Sequence, residues 1–312
     1  MLNSLFAILA VLAMVPAPEA DIHPMRMYGL STPVEPQLVR AAQIEDKRIL
    51  PPVKKDRNDL GILHSGKSAF VADVDSAGVL YAYKAHDKHS IASLTKLMTA
   101  LVVLEQDLDM DEDIVLIRED FDTEVRSTLR IGDAIPRKDA FRALIVGSVN
   151  ELGNALARTS GMSRVEFVER MNERANEMNL PSLVFTDPTG LDESNQGNAA
   201  DVAALLTIAI REQEISDAMA ENFTILTTAV GRQYTIDTTN LLRFSYLNEA
   251  PYRILGAKTG SLPTTGYNLA QVTQNGRGNE VVTVLLGSNN HFSRYDDVKA
   301  LTAWAFDAYL WD

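Results

Sequence analysis

Two hydrophobic periods divide the chain. Over residues 69–74 and 79–83, Val, Tyr and Phe dominate, and Asp75-Ser76-Ala77-Gly78 between them is turn chemistry, so the pair predicts a β-hairpin. Residues 91–105 follow, apolar on nearly every side through Leu94, Leu97, Met98, Leu101, Val102, Val103 and Leu104. A helix that is apolar all round is a buried one, and its N-terminus falls near Ser93. Residues 139–158 and 165–178 carry apolar positions at helical spacing, and 198–210 form a further amphipathic helix. Asp187-Pro188-Thr189-Gly190 reads as a turn. Strand character returns at 267–273 and 280–287, around the turn Asn275-Gly276-Arg277-Gly278, and residues 298–309 close as a helix. Strands at both ends of a mostly helical stretch (106–230) predict an α/β fold of the α+β kind. In it an antiparallel sheet is flanked by helices and carries an inserted helical lobe.

The start of the chain follows neither period. Residues 5–15 are an unbroken apolar run followed by small residues up to Ala20. That run is shorter than the roughly twenty residues a bilayer needs, so no stable membrane span is expected. It fits the apolar part of an export signal over 1–20, although no Lys or Arg precedes it. Residues 21–62 contain Pro24, Pro33, Pro36, Pro51 and Pro52 with mixed charges, and predict a linker or loosely packed arm. Order is expected from near Lys67, giving a main domain over 63–312.

Composition narrows the functional classes. The 312 residues include no Cys, which excludes disulfides and thiolate metal sites. The net charge of -13 argues against nucleic acid as a partner. Lys54-Lys55 with Arg57 is the densest basic cluster and reads as a solvated linker. His86 and His89 are the one clustered His pair; no third ligand is evident, so no metal site is expected.

Three short strings carry candidate chemistry. In Ser93-Leu94-Thr95-Lys96 the two polar residues are three apart and share a helical face. A serine hydroxyl needs an adjacent base, and a lysine becomes one when burial lowers its pKa. Here the lysine lies inside an apolar run, where an unpaired charge is costly. Ser148-Val149-Asn150 places a hydroxyl and a carboxamide among apolar residues, where they could relay a proton and hold an amide, or simply mark a helix boundary. Lys258-Thr259-Gly260 precedes a β-rich segment. On an exposed strand its cation and hydroxyl can bind a carboxylate, and the glycine admits a close ligand.

Each string alone is weak, but the ordered set is similar to the signature of the penicillin-binding protein and serine β-lactamase superfamily. Residues 89–100 resemble the nucleophile segment of low-molecular-mass D-Ala-D-Ala peptidases. Residues 185–191, Thr239-Asn240 and Thr265-Gly266-Tyr267 match the same family in order, and the likeness spans roughly 67–310. The resemblance implies a β-lactamase/transpeptidase-like fold with the site between sheet and helical lobe. It implies an acyl-enzyme on Ser93, Lys96 as its base, Ser148 as proton relay and Asn150 on the substrate amide. Lys258 and Thr259 of the Lys258-Thr259-Gly260 motif would bind the terminal carboxylate, with the amides of Ser93 and Ser261 as oxyanion hole. No cofactor or metal is called for. The partners implied are peptidoglycan stem peptides and crosslinks, with β-lactams as covalent inhibitors, in the periplasm. Val149 departs from the smaller or more polar residue usual at its position.

After Gly260 there remain 52 residues, 312 less 260. That length leaves no room for a further β-rich domain and resembles the D-alanyl-D-alanine endopeptidase branch more than the carboxypeptidase branch. A β-lactamase would need a glutamate-held water. The nearest candidate, Glu177, sits beside Glu169, Arg170, Glu173 and Arg174 and reads as a solvated helix face. A penicillin- or peptidoglycan-binding module without turnover is the alternative from another class.

Overall fold

The computed structural model describes residues 50–122 and 127–311. The expected export signal and residues 21–49 of the arm lie outside the described residues. The last part of the expected arm is built into the domain. Its strand β1 (Val53–Lys54) pairs with the chain's final strand (Val53↔Leu310, Lys54↔Tyr309), and Trp304 Nε1 donates to Asp59 at 2.7 Å. Prolines interrupt the period there, yet the bridged pair, the Lys55 amide on the Ala308 carbonyl at 2.9 Å, the Lys55 ammonium on the Asp307 carbonyl and the Lys54 ammonium over the Trp304 ring dock it, so Lys54 and Lys55 are not the solvated linker expected.

Next comes the expected hairpin, β2 (Ser68–Asp73) and β3 (Val79–Tyr83). A short β4 (His89–Ser90) leads into a 3-10 turn (Ala92–Thr95) and helix α1 (Lys96–Leu104), buried almost throughout. The lobe then holds β5 (Asp113–Val115), β6 (Ala134–Pro136), α2 (Arg137–Val146), α3 (Asn150–Arg158) and α4 (Arg164–Glu177). It continues through β7 (Gln196–Gly197), α5 (Ala199–Ala209), α6 (Gln213–Met219) and the hairpin β8 (Phe223–Thr227) and β9 (Gln233–Asp237). The chain ends with β10 (Arg253–Leu262), β11 (Gly266–Gln274), β12 (Glu280–Ser288), α7 (Ser293–Ala308) and β13 (Tyr309–Leu310).

Three differences from the sequence reading affect the site. The periodic stretch at 139–158 is two helices, because Gly147-Ser148-Val149 leaves helical geometry between α2 and α3. The helical expectation for 106–230 misses the hairpins β5–β6 and β8–β9. The third motif lies inside β10, a ten-residue strand, instead of before the first C-terminal strand.

The main sheet runs β10-β11-β12-β2-β3, antiparallel throughout, so the N-terminal hairpin is added beside the C-terminal meander. Strand period 2 sorts β12 between two cores. Val282, Val284 and Leu286 face the cluster containing α1, α2 and α5, while Val281 and Leu285 face Val298, Leu301 and Ala305 of α7. The helical lobe is anchored by ordinary caps. Ser163 and Glu166 form a reciprocal capping box on α4, and Asn198 caps α5 through the Asp201 amide at 2.8 Å. β10 is the sheet edge, and its motif residues meet the start of α1.

Candidate active site

Ser93 sits in the 3-10 turn immediately before α1. In such a turn side chains three apart eclipse, which sets Lys96 beside Ser93. Lys96 Nζ donates to Ser93 Oγ at 2.9 Å, to Asn150 Oδ1 at 2.7 Å and to the Thr189 carbonyl at 2.6 Å. The lysine is fully buried, and burial pushes its pKa down to about 7 against the opposing charges of Asp187 and Glu151. Near neutral pH a large share of Lys96 is therefore the free amine, able to take the Ser93 proton.

Ser148 falls in the break between α2 and α3, at φ +58°, a left-handed conformation unusual for a residue with a Cβ. The break points its hydroxyl at Lys258, whose Nζ donates to Ser148 Oγ at 2.7 Å and to the Thr259 carbonyl at 3.1 Å. The expectation of an exposed strand for this motif needs correction. Lys258 is 1 % exposed and Thr259 5 %. The lobe covers this part of the sheet edge, so burial, with the nearby charges of Lys96 and Arg294, lowers the Lys258 pKa well below the ordinary lysine value.

Two glycines set the closeness of the parts. A Cβ on Gly260 would lie 2.8 Å from the Ile91 carbonyl and 3.1 Å from the Ser93 amide, so only glycine lets β10 lie against the nucleophile turn. A Cβ on Gly190 would lie 2.0 Å from the Ala92 carbonyl, and this loop closes over the same turn from the lobe side. Asp187 organises that loop. It accepts from Thr189 Oγ1 at 2.7 Å, the amides of Gly190 and Asp192 at 2.8 Å, and Asn195 Nδ2 at 2.7 Å. Burial would raise its pKa, but the bonds from Thr189, Asp192 and Gly190 win and hold it below the usual carboxylate value.

A cavity of about 350 Å³ opens at Ser93, with Ser148, Thr239, Thr259, Ser261 and Arg294 among its walls. Thr259 Oγ1 donates to Thr239 Oγ1 at 2.7 Å. Arg294 lies two and three residues from Asp296 and Asp297 in the chain but does not share their solvated surface. Asp296 pairs with Lys299 and Asp297 accepts from Ser65, but Arg294 turns inward, 4 % exposed, and donates to the Gly260 carbonyl at 3.2 Å and Tyr295 Oη at 2.8 Å. Its Nε has no hydrogen-bond partner among the described residues. A larger cavity, about 650 Å³, lies at the Arg253 end of β10 and holds none of the three motifs. Among the described residues no His, Cys, Asp and Glu group could hold a metal ion. Glu177 pairs with Arg170 and Arg174 on the surface of α4, and those hydrogen bonds lower its pKa to about 2.

The arrangement is a serine with a buried amine at hydrogen-bond distance, beside a cavity lined by hydroxyl groups and Arg294. The family model described as D-alanyl-D-alanine carboxypeptidase, Peptidase_S11, matches residues 55–290. The chain belongs to this family of serine peptidases.

Relatives within it carry two names. The D-alanyl-D-alanine endopeptidase of Haemophilus influenzae is 29% identical, over 73% of this chain and 77% of its own. That of Pseudomonas aeruginosa is 30% identical, over 76% of each. The D-alanyl-D-alanine carboxypeptidase DacF of Bacillus subtilis is 24% identical, over 80% of this chain and 64% of its own. In fold the chain is similar to the Streptomyces K15 DD-transpeptidase, with TM-score 0.72 and 23% identity over 79% of this chain and 99% of that one. It is also similar to penicillin-binding protein D2 of Listeria monocytogenes in its cefotaxime-bound form, with TM-score 0.69 and 26% identity over 80% and 100%. The β-lactamase/transpeptidase-like expectation for the fold holds.

All eight residues singled out from sequence converge on this one cleft of the S11 peptidase. Thr239 and residues 185–191 stood in the family likeness without a role, and the contact of the Thr189 carbonyl with Lys96 and the inward turn of Arg294 were not foreseen. Asp187-Pro188-Thr189-Gly190 did signal an Asp-initiated turn, but nothing local says that its carbonyl meets Lys96. Arg294 has no local signal, since α7 packs on β11 and β12 and the first turn of α7 brings the guanidinium to the Gly260 carbonyl.

Proposed function

We propose that this serine hydrolase is a D-alanyl-D-alanine endopeptidase that cuts peptidoglycan crosslinks through an acyl-enzyme on Ser93. The observation that carries the reading is the 2.9 Å contact between Ser93 Oγ and the buried amine of Lys96, at the mouth of a cavity backed by Arg294. Ser93 attacks the D-alanyl carbonyl and its proton passes to Lys96. The amides of Ser93 and Ser261 receive the developing oxyanion. Ser148 hands its proton to the departing amine as the carbon–nitrogen bond breaks and takes one from Lys258, which donates to it. Water then attacks the ester; its proton returns through Ser148 to Lys258, and Lys96 gives the first proton back to Ser93 Oγ as the ester bond breaks. Asn150 holds the substrate amide. Thr259, Lys258 and Arg294 offer hydrogen bonds and positive charge to the carboxylate of the leaving residue.

Such a substrate places the protein outside the cytoplasmic membrane, in the periplasm, after removal of residues 1–20. No helix among the described residues is long and apolar enough to cross a membrane. β-Lactams, which imitate the D-alanyl bond, would acylate Ser93. The endopeptidase activity is favoured over the carboxypeptidase one by the names of two relatives that match three quarters of the chain. Incubation with a crosslinked muropeptide dimer and, separately, a pentapeptide monomer separates the two by mass spectrometry. Conversion of dimer to monomers, absent with Ser93→Ala, is expected. Loss of one alanine from the pentapeptide alone would make the enzyme a carboxypeptidase. No product from either would move a binding module to the front.

A further inference from the structure

The cleft does not end at the groups that meet the leaving carboxylate. Leu241 and His291 line the same cavity as Ser93, Thr259 and Arg294. Leu241 opens a 3-10 turn, Leu241–Phe244. Side chains three apart in such a turn eclipse, so Phe244 stands beside Leu241 on one face. Leu241 is 40% exposed and Phe244 66%. His291 and Phe292, both exposed, stand at the start of α7, ring against ring at 4.9 Å between centroids.

Both pairs stand on fixed backbone although their side chains meet water. Asn240 Oδ1 accepts the Leu242 amide at 3.1 Å, Ser245 Oγ donates to the Leu242 carbonyl at 2.7 Å, and Arg243 Nε donates to Asn222 Oδ1 at 2.9 Å. The Phe292 amide donates to Asn290 Oδ1 at 2.8 Å, and its carbonyl accepts from the Tyr295 amide at 2.9 Å. His291 meets the rings of Tyr267 and Tyr295 edge-on, each at 5.6 Å. The two pairs belong to one place. Tyr295 Oη donates to the Thr239 carbonyl at 2.7 Å, two residues before Leu241, and α7 packs on the 3-10 turn. Apolar side chains scattered singly over a surface are ordinary, but gathered at the mouth of a cavity they mark a contact surface.

The chemistry of the leaving group says what would reach them. Its carboxylate meets Thr259 and Arg294, which share the cavity with Leu241 and His291. In a pentapeptide the leaving residue is a single alanine, which a cavity of about 350 Å³ can enclose. In a crosslink the leaving residue carries a side chain that runs on into a second stem peptide, too long to be enclosed, so it passes over the rim. Resting on the endopeptidase reading, we propose that Leu241, Phe244, His291 and Phe292 bind the leaving stem peptide of a crosslink and set the preference for crosslinks over single stems. The methylene chain of the leaving residue packs on the leucine and the aromatic rings while its carboxylate stays on Arg294. Rings already fixed by their backbone lose little freedom on binding.

The test compares a crosslinked muropeptide dimer with penicillin, which reacts at Ser93 but has no second stem to lay on the rim. The full chain and a Phe244→Ser/Phe292→Ser variant are assayed on both. The two rings are exposed, so the variant is expected to keep its fold, and thermal melting checks it. Its kcat/KM on the dimer is expected to fall about tenfold, mostly through KM, the effect of withdrawing about 50 Å² of apolar contact. The second-order rate of penicillin acylation is expected to change by less than about twofold. Phe244→Leu/Phe292→Leu, which keeps an apolar rim, is expected to recover most of the dimer rate. A dimer rate unchanged in the serine variant, or equal losses on dimer and penicillin, overturns the rim. A wild-type chain that penicillin acylates at Ser93 but that leaves the dimer whole overturns the endopeptidase reading instead, and the rim with it.

Discussion

Lys258 Nζ donates to Ser148 Oγ at 2.7 Å, so the hydroxyl of the second motif is tied to the lysine of the third. With Lys96 on Ser93, the cleft holds two lysine–serine pairs, both lysines buried and both lowered by that burial. One pair can start the attack and the other can serve the leaving amine. The left-handed backbone at Ser148 aims the second hydroxyl.

That strain gives a test that separates activity from stability. Ser148→Gly removes the hydroxyl and the steric cost at φ +58°, while Ser148→Ala removes the hydroxyl and keeps that cost. Both variants are expected to lose about 100-fold or more in kcat/KM. The glycine variant is expected to be the more stable by about 1 kcal/mol in urea unfolding. Equal activity in wild type and either variant would remove Ser148 from the proton path.

Lys96 predicts the pH profile. Burial brings it to about 7, and only the neutral amine can accept a proton. The rate of penicillin acylation is therefore expected to rise through about pH 7 and level off above it. Lys96→Arg, charged at every working pH, is expected to flatten the profile and cut the rate about 1,000-fold. Stopped-flow measurement of acylation from pH 5 to pH 9 checks both.

Gly260→Ala inserts a methyl 2.8 Å from the Ile91 carbonyl and 3.1 Å from the Ser93 amide. Backbone cannot yield as a side-chain tip does, so β10 and the nucleophile turn must part. A loss of about 100-fold in kcat/KM is expected, with only about 1–3 kcal/mol lost in stability. Parallel activity and urea-unfolding assays decide it.

Asp187→Asn tests the loop that carries the Thr189 carbonyl to Lys96. The carboxylate receives at least four hydrogen bonds and its pKa is depressed in the fold. A depressed carboxylate contributes stability above its unfolded pKa and loses it as pH falls through the folded one. The variant is expected to be about 2 kcal/mol or more less stable at pH 7. The gap should narrow below the usual aspartate range. Unfolding measured at pH 7 and pH 3 checks the sign.

What the sequence revealed follows from where each contact lies along the chain. Ser93 and Lys96 meet across one turn, and the hairpin of β2 and β3 closes on itself, so both are legible locally. The edge position of β10 and the burial of Lys258 depend on the whole sheet order and on the lobe that covers it. Apolar spacing continues across Gly147-Ser148-Val149, so the helix boundary there stood as one of two readings of the second motif, although a Gly-Ser pair is a helix-breaking signal. Arg294 stands near two aspartates in the chain, a pattern that gives no sign of burial. On α7 its neighbours diverge, the acids outward and the guanidinium toward the Gly260 carbonyl.

The most direct test of the central claim is to locate the acyl group. The full chain is incubated with a penicillin, digested, and its peptides are read by mass spectrometry. One adduct per chain is expected, on the peptide containing Ser93, and none in a folded Ser93→Ala variant, which also leaves crosslinked muropeptide intact. An adduct on another residue, or crosslink cleavage that persists in Ser93→Ala, would contradict the account.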